Sequence, residues 1–178
     1  MLLFYLNLLE TEKEKSKFEE LYYEYKTLMM YKALEIFKNK EQAEDAVHEA
    51  FIKLTRYLDR IEDIKSHKTK SFIVIIIRCV SLDIMEKENR RKSYHIDNIE
   101  EICVSDDNVF EKIEIKELCS KIKSLPETYR DVLELKVYYD LSDKAMADIL
   151  GISNQAVRKR LQRARYALKK ILSESGDI

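Results

Sequence analysis

Residues 141–172 read LSDKAMADILGISNQAVRKRLQRARYALKKIL, and their punctuation decides the fold of this end of the chain. A Ser hydroxyl accepts from the free N–H groups of a first helical turn, so Ser142 is placed to cap a short helix running through Leu150. Gly151 then supplies the positive φ of a tight turn, and Ser153 is placed to cap a second helix that begins at Asn154. Ala147 is small where two helices must cross closely. Gly151 follows four residues later and Val157 six after that, with Met146, Leu150, Ile152 and Leu161 as the remaining apolar positions. This is the spacing of a helix-turn-helix, whose second helix enters the DNA major groove.

The second helix has two faces. Val157, Leu161, Ala164, Leu168 and Ile171 form a stripe for burial, while Arg158, Lys159, Gln162, Arg163 and Lys170 project elsewhere. Between residues 154 and 170 there are seven Lys or Arg and no acid. Arg and Gln read base edges bidentately, and Lys and Arg neutralise phosphates. The competing reading, a basic solvated face in a helical bundle, does not need the Ala, Gly and Val spacing.

Working outward, Ser124, Leu125, Pro126 and Glu127 have the form of a helix start. Ser and Glu three apart can make a capping box, and Pro is tolerated in a first turn. A helix is expected to resume near Phe110, with Phe110, Ile113, Leu118 and Ile122 on one side. Residues 93–109, SYHIDNIEEICVSDDNV, hold five acids, no Lys or Arg and no stable period, which makes them the best linker candidate. Before them, residues 71–85 are apolar and rich in β-branched side chains. Helix is the expectation there, because no partner strand exists elsewhere to satisfy a lone strand. Residues 60–70, RIEDIKSHKTK, read as a polar loop. Further upstream, Phe18, Leu21, Tyr22, Tyr25, Leu28, Met29, Ala33, Ile36 and Phe37 recur at three and four, the stripe of a helix of about twenty residues. Asn39 is a plausible stop. A second stripe of Ala43, Ala46, Val47, Ala50, Leu54, Tyr57, Leu58 and Ile61 follows it, and two such helices with a short connection pack antiparallel.

Composition agrees with this reading. Two Gly and one Pro in 178 residues leave an all-β fold short of turn residues and exclude a Gly-rich phosphate loop, while 46% apolar residues allow a packed core. The fold class is therefore all-α, with two small helical domains joined by an acidic linker: residues 1–92, a linker and lead-in helix at 93–123, and residues 124–178. Cys79, Cys103 and Cys119 show no CxxC spacing and the three histidines are scattered, so neither a disulfide framework nor a metal site is expected, and no cofactor. No paired carboxylates or nucleophile-and-base set stands out, so no catalysis and no small-molecule substrate are expected. The opening MLLFYLNLLE and the run 72–80 are too short to span a membrane; both are expected in the core of a cytoplasmic protein. The net charge of −1 disfavours DNA only as a total. Residues 1–92 carry 18 basic and 17 acidic groups, residues 93–124 carry 4 and 8, and residues 125–178 carry 10 and 8.

Three segments taken together resemble a bacterial sigma-70 family factor of the extracytoplasmic-function (ECF) type. Leu125, Pro126, Tyr129 and Arg130 before the helix-turn-helix resemble the family's C-terminal region, EDAVHEAFIKL (44–54) resembles the signature of its N-terminal region, and SFIVIIIRCVSLDIMEKENRRK (71–92) resembles the helix and basic end that follow. The resemblance implies a promoter-specificity subunit of RNA polymerase. Its partners would be the core enzyme (clamp helices of the largest subunit, flap of the second), promoter DNA and an anti-sigma factor. It implies −35 recognition through Asn154, Gln155, Arg158, Lys159, Gln162 and Arg163. It assigns the −10 element to Lys65, His67, Lys68 and Lys70 and to the basic end Arg90, Arg91 and Lys92. Core docking falls to Asp45, His48, Glu49, Phe51 and Ile52, with Phe51 equally readable as a core aromatic. His48 stands where the family usually has Gln, Lys144 and Ala145 stand where it often has two acids, and Asn154 and Gln155 replace residues that are commonly small. An independent helix-turn-helix regulator and a helical protein-binding adaptor without DNA contact are the competing functions.

Overall fold

The computed structural model of the chain describes residues 1–92, 121–122 and 124–174. Every regular element among them is a helix, and the chain divides into two compact units, one N-terminal and one C-terminal. The expected linker and the lead-in helix near Phe110 lie outside the described residues, apart from Ile122, which is buried.

The N-terminal unit is built from α1 (Leu2–Leu6), α2 (Glu12–Ile36), α3 (Lys40–Thr55) and α4 (His67–Lys92). α2 starts where a capping box closes on Thr11. The Glu14 N–H donates to Thr11 Oγ1 (3.2 Å), the Thr11 N–H and hydroxyl both donate to Glu14 Oε2 (2.9 Å each), and the two bonds from Thr11 hold the Glu14 carboxyl below its ordinary range. Phe18, Leu21, Tyr25, Met29 and Ala33 fall on its buried stripe, as their spacing predicts. Asn39 does more than stop α2: its Oδ1 accepts from the Glu41 N–H at 2.9 Å, so it caps α3. The short connection at 37–39 returns the chain, and α3 packs on α2 with Ala43, Ala46 and Ala50 wholly buried. A 3₁₀ turn at Leu58–Arg60 ends this arm, and Lys17 Nζ donates to its Leu58 carbonyl (2.8 Å), tying it to α2.

The β-branched run forms a helix. α4 packs against both α2 and α3 and buries Phe72, Ile73, Ile75, Ile76, Ile77 and Val80. Five large apolar residues within six positions leave no polar face there, which a helix can accept only when neighbours cover it on more than one side. The polar loop is shorter than 60–70. α4 already begins at His67, because Ser66 Oγ accepts from the Thr69 N–H (3.1 Å) and so acts as its cap. The opening MLLFYLNLLE is not uniformly core: Tyr5 is buried, while Met1, Leu3, Phe4 and Leu8 are exposed.

In the C-terminal unit, α5 (Glu127–Tyr139), α6 (Asp143–Leu150) and α7 (Asn154–Glu174) follow one another, and α5 packs on α7. The capping box expected at Ser124 and Glu127 does not form. Ser124 Oγ donates instead to the Lys121 carbonyl (2.7 Å), and Pro126 takes the cap position without a side-chain bond. α5 ends at Asp140 with φ of 44°, in the left-handed region that Asp tolerates better than most residues. Among the described residues no helix is long and apolar enough to cross a membrane.

Replacing Phe72 by Ala should lower the stability of the N-terminal unit by about 3–5 kcal/mol, the usual cost of deleting a buried ring, read as a lower urea midpoint by far-UV circular dichroism. The exposed Leu82 on the same helix is the control. Leu82→Ala should change stability by less than about 0.5 kcal/mol.

Candidate nucleic-acid interface

The turn between α6 and α7 is built as its residues dictate. Ser142 Oγ accepts from the Ala145 N–H (3.2 Å) at the start of α6, and Ser153 Oγ accepts from the Ala156 N–H (3.1 Å) at the start of α7. Gly151 between them has φ of 67°, and the Ile152 N–H reaches back to the Ala147 carbonyl at 3.2 Å. Val157, Leu161, Ala164, Leu168 and Leu172 are buried, as are Met146 and Ile149 of α6, and α7 packs on α5. The remaining faces of α7 are thereby turned outward.

Asn154, Gln155 and Arg158 are exposed, and Lys159, Gln162 and Arg163 are half-buried. Gln155, Arg158, Lys159 and Gln162 line one open groove; Asn154 and Arg163 are not among its lining residues. Two further cations join that groove. Arg165 lies one heptad beyond Arg158 on α7, and Lys136 comes from α5. The period of α7 could have found Arg165, but Lys136 reaches the groove only through tertiary packing. Asp143, at the start of α6, supplies the groove's carboxylate, and Arg158 Nε donates to its Oδ2 at 3.0 Å. The Arg158 guanidinium is thus oriented before any ligand arrives.

In the N-terminal unit Lys65, His67, Lys68 and Lys70 are all exposed. Lys65 lies in the loop, whereas His67, Lys68 and Lys70 belong to the first turn of α4, a more rigid mount than the expected loop. The segment beneath them is held by Asp63: its carboxylate accepts from the Lys65 N–H (2.9 Å) and its carbonyl from Thr69 Oγ1 (2.7 Å). The Tyr25 hydroxyl donates to the Ile64 carbonyl, and burial, with Glu24 and Asp63 nearby, pushes that phenol's pKa up, so it keeps the proton it donates. Arg90, Arg91 and Lys92 close α4, and their side chains lie outside the described residues.

The stripe on α3 divides by depth. Asp45 and Glu49 are exposed, His48 and Ile52 are half-buried, and Phe51 is fully buried. Phe51 packs against the rings of Tyr22 (4.9 Å between centroids), Tyr5 (5.5 Å) and Phe18 (5.9 Å). It supports this face from beneath and presents nothing to a partner. Among the described residues no group of three His, Cys, Asp or Glu is placed to hold a metal ion.

Comparison with known proteins separates the two units. Residues 21–91 match Sigma-70 region 2, and residues 116–168 match Sigma-70, region 4; together the matches cover more than half of the chain. The chain belongs to the sigma-70 family. It is an RNA polymerase sigma factor of the ECF type, a protein of promoter-specific transcription initiation whose counterparts are core polymerase and promoter DNA. Its relatives in Bacillus subtilis (strain 168) include the ECF RNA polymerase sigma factor SigM, 28% identical over 85% of this chain and 92% of that one. They also include RNA polymerase sigma factor SigV, 25% identical over 74% and 76%. RNA polymerase sigma factor SigZ is 47% identical, but over 53 residues that make up 30% of each chain. A solved structure, that of CnrH in complex with the cytosolic domain of CnrY, is 18% identical over 88% of each chain with a TM-score of 0.35. The first 20 residues of this sigma factor, which include α1, precede the region 2 match.

The left-handed turn gives a direct test of the helix-turn-helix geometry. Gly151→Ala should destabilise the C-terminal unit by about 1–2 kcal/mol, the cost of placing a Cβ in that region, measured by urea denaturation. Gly151→Asn should recover part of the loss, because Asn tolerates this conformation better.

Proposed function

We propose that this sigma factor uses residues 1–92 as a region 2-like domain that docks on core polymerase and melts the −10 element, residues 93–123 as the connection, and residues 124–178 as a region 4-like domain that reads the −35 element. The observation that carries the −35 assignment is the groove in which Gln155, Arg158, Lys159 and Gln162 lie together on the outward side of α7. Arg and Gln there read base edges, and Lys159 within the groove, with Arg163 and Asn154 elsewhere on α7, holds the phosphates. Lys136 and Arg165 extend the cationic floor of the same groove.

For the −10 element, Lys65, His67, Lys68 and Lys70 contact the backbone of the separated strand, and Arg90, Arg91 and Lys92 prolong that track. Extruding a base costs a few kcal/mol of stacking, which phosphate contacts of this kind offset. Asp45, Glu49 and Ile52, with His48 between them, meet the clamp helices of the largest polymerase subunit, while the region 4-like domain meets the flap of the second. The acidic segment 93–109 lies along the basic walls of the RNA-exit path. An anti-sigma factor that covers the docking and DNA-reading faces would hold the protein inactive. The protein works in the cytoplasm, without catalysis of its own. The two DNA contacts are each weak, and the connection makes them effectively bivalent.

Run-off transcription with purified bacterial core polymerase on a promoter library tests this reading. The protein should co-purify with core and add promoter-specific transcripts. If it adds none, the proposal fails, and specific duplex binding without polymerase would favour an independent regulator. Arg158→Ala should cost about 1–3 kcal/mol of promoter affinity and relax preference at one position of the −35 element. Lys159→Ala should weaken binding to all promoters alike and reduce the salt dependence by about one ion. Both are read by titrating holoenzyme onto labelled promoter at several salt concentrations.

A further inference from the structure

The segment before the region 2 match is placed with care that its length does not require. Tyr5 of α1 is 1% exposed, and its ring lies 5.7 Å from Phe18, 6.0 Å from Tyr22, 5.5 Å from Phe51 and 5.3 Å from His48. Its hydroxyl is 2.8 Å from His48 Nδ1. Burial, with Tyr22 nearby, pushes the Tyr5 phenol to about 12, so the hydroxyl stays neutral in that hydrogen bond. α1 is therefore anchored by one ring in the seam between α2 and α3, with which it packs.

Leu2 and Leu6 are half-buried, but Leu3 and Phe4 are not used for burial. Leu3 is 76% exposed and Phe4 50%, with Met1 and Leu8 exposed beside them. The Phe4 ring reaches the edge of α3, where its centroid is 5.4 Å from that of His48. His48 lies between Asp45 and Glu49 on one face of α3. An apolar strip on α1 is thus continuous, through His48, with the acidic stripe assigned to polymerase docking.

We propose that α1 is a built-on part of that docking face, and that Leu3 and Phe4 contact the same core-polymerase surface that meets Asp45 and Glu49. The inference rests on the docking role proposed above. It requires a polymerase surface with cations opposite the carboxylates and apolar side chains beside them. A removable cover is the other way to use such a helix, and two observations count against it. α1 leaves Asp45 and Glu49 exposed, so it hides none of the charge that would attract the partner. Lifting it away would also expose the rings of Tyr5, Phe18 and Phe51 together, an unfavourable step. A lipid surface suits the apolar residues but not their surroundings: residues 1–12 contain no Lys or Arg, and the adjoining α3 face is acidic, so an anionic bilayer is repelled.

The experiment measures binding of the full chain to purified bacterial core polymerase, comparing wild type with Leu3→Ser/Phe4→Ser and Asp45→Ala/Glu49→Ala. The serine variant changes only exposed positions and keeps the Tyr5 anchor, so its urea midpoint should match that of wild type. Its Kd for core should rise about tenfold, as expected for losing two partly buried apolar contacts, and by the same factor at low and high salt. The carboxylate variant should also weaken binding, but chiefly at low salt, because exposed charges are screened. If the carboxylate variant weakens binding and the serine variant does not, α1 has no docking role although the docking face stands. If neither changes Kd, the docking face itself is wrong. Tighter binding by the serine variant would make α1 a cover and overturn the proposal. So would an unchanged Kd accompanied by loss of self-association in sedimentation, or by loss of flotation with phosphatidylglycerol vesicles.

Discussion

The N-terminal unit depends on a close approach between α3 and α4. α3 packs against both α2 and α4 and buries the small Ala43, Ala46 and Ala50, while α4 buries Phe72, Ile73, Ile76 and Ile77, so small side chains in the shared core leave room for bulky and branched ones. Helix axes can then approach without strained rotamers, and a run with no polar face is covered from two sides. With α4 fixed in this way, its first turn carries His67, Lys68 and Lys70, while the opposite side of α3 carries Asp45 and Glu49. The cationic first turn of α4 and the acidic stripe of α3 are therefore mounted on the same three-helix frame. The aromatic cluster of Phe18, Tyr22 and Phe51 stiffens the second of them from within, and Tyr5 completes it from α1.

The C-terminal unit solves a different problem, which is to hold one cationic helix face in a fixed orientation. Seven positive charges on α7 repel one another and favour any arrangement that spreads them out. The buried stripe from Val157 to Leu172 opposes this from behind, and the caps and left-handed turn at 151–153 set where the helix begins. The ion pair of Arg158 with Asp143 adds little stability, since Arg158 is largely exposed. Its effect is orientation: a guanidinium already held loses less freedom when it meets any ligand.

Periodicity made the helices legible, and what it missed follows from physical causes. The stripes of α2, α3 and α7 are dictated by burial on one side, which repeats in the sequence. Asn39 and Ser66 were harder to read because a cap is a local choice between competing partners. Ser124 shows the choice going the other way, toward the Lys121 carbonyl behind it rather than the turn ahead. Phe51 fits either a docking stripe or a core stripe by spacing, and only the rings around it decide. Lys136 and Asp143 line the groove beside α7 because α5 and α6 bring them there, about which the period of α7 carries no information.

The same reasoning explains why the opening ten residues resisted interpretation. Eight of them are large apolar side chains, a composition that reads as core whatever their arrangement. The structure gives Tyr5 the buried place, and its phenol needs a polar partner once it is there. His48 is that partner. Tyr5 of α1 and His48 of α3 are thus two halves of one arrangement. An imidazole can bond to the phenol at one edge while stacking against Phe4, whereas an amide offers no ring for Phe4 to meet. The histidine therefore joins α1 to the acidic stripe of α3, and it is the residue through which a change in one would be felt by the other.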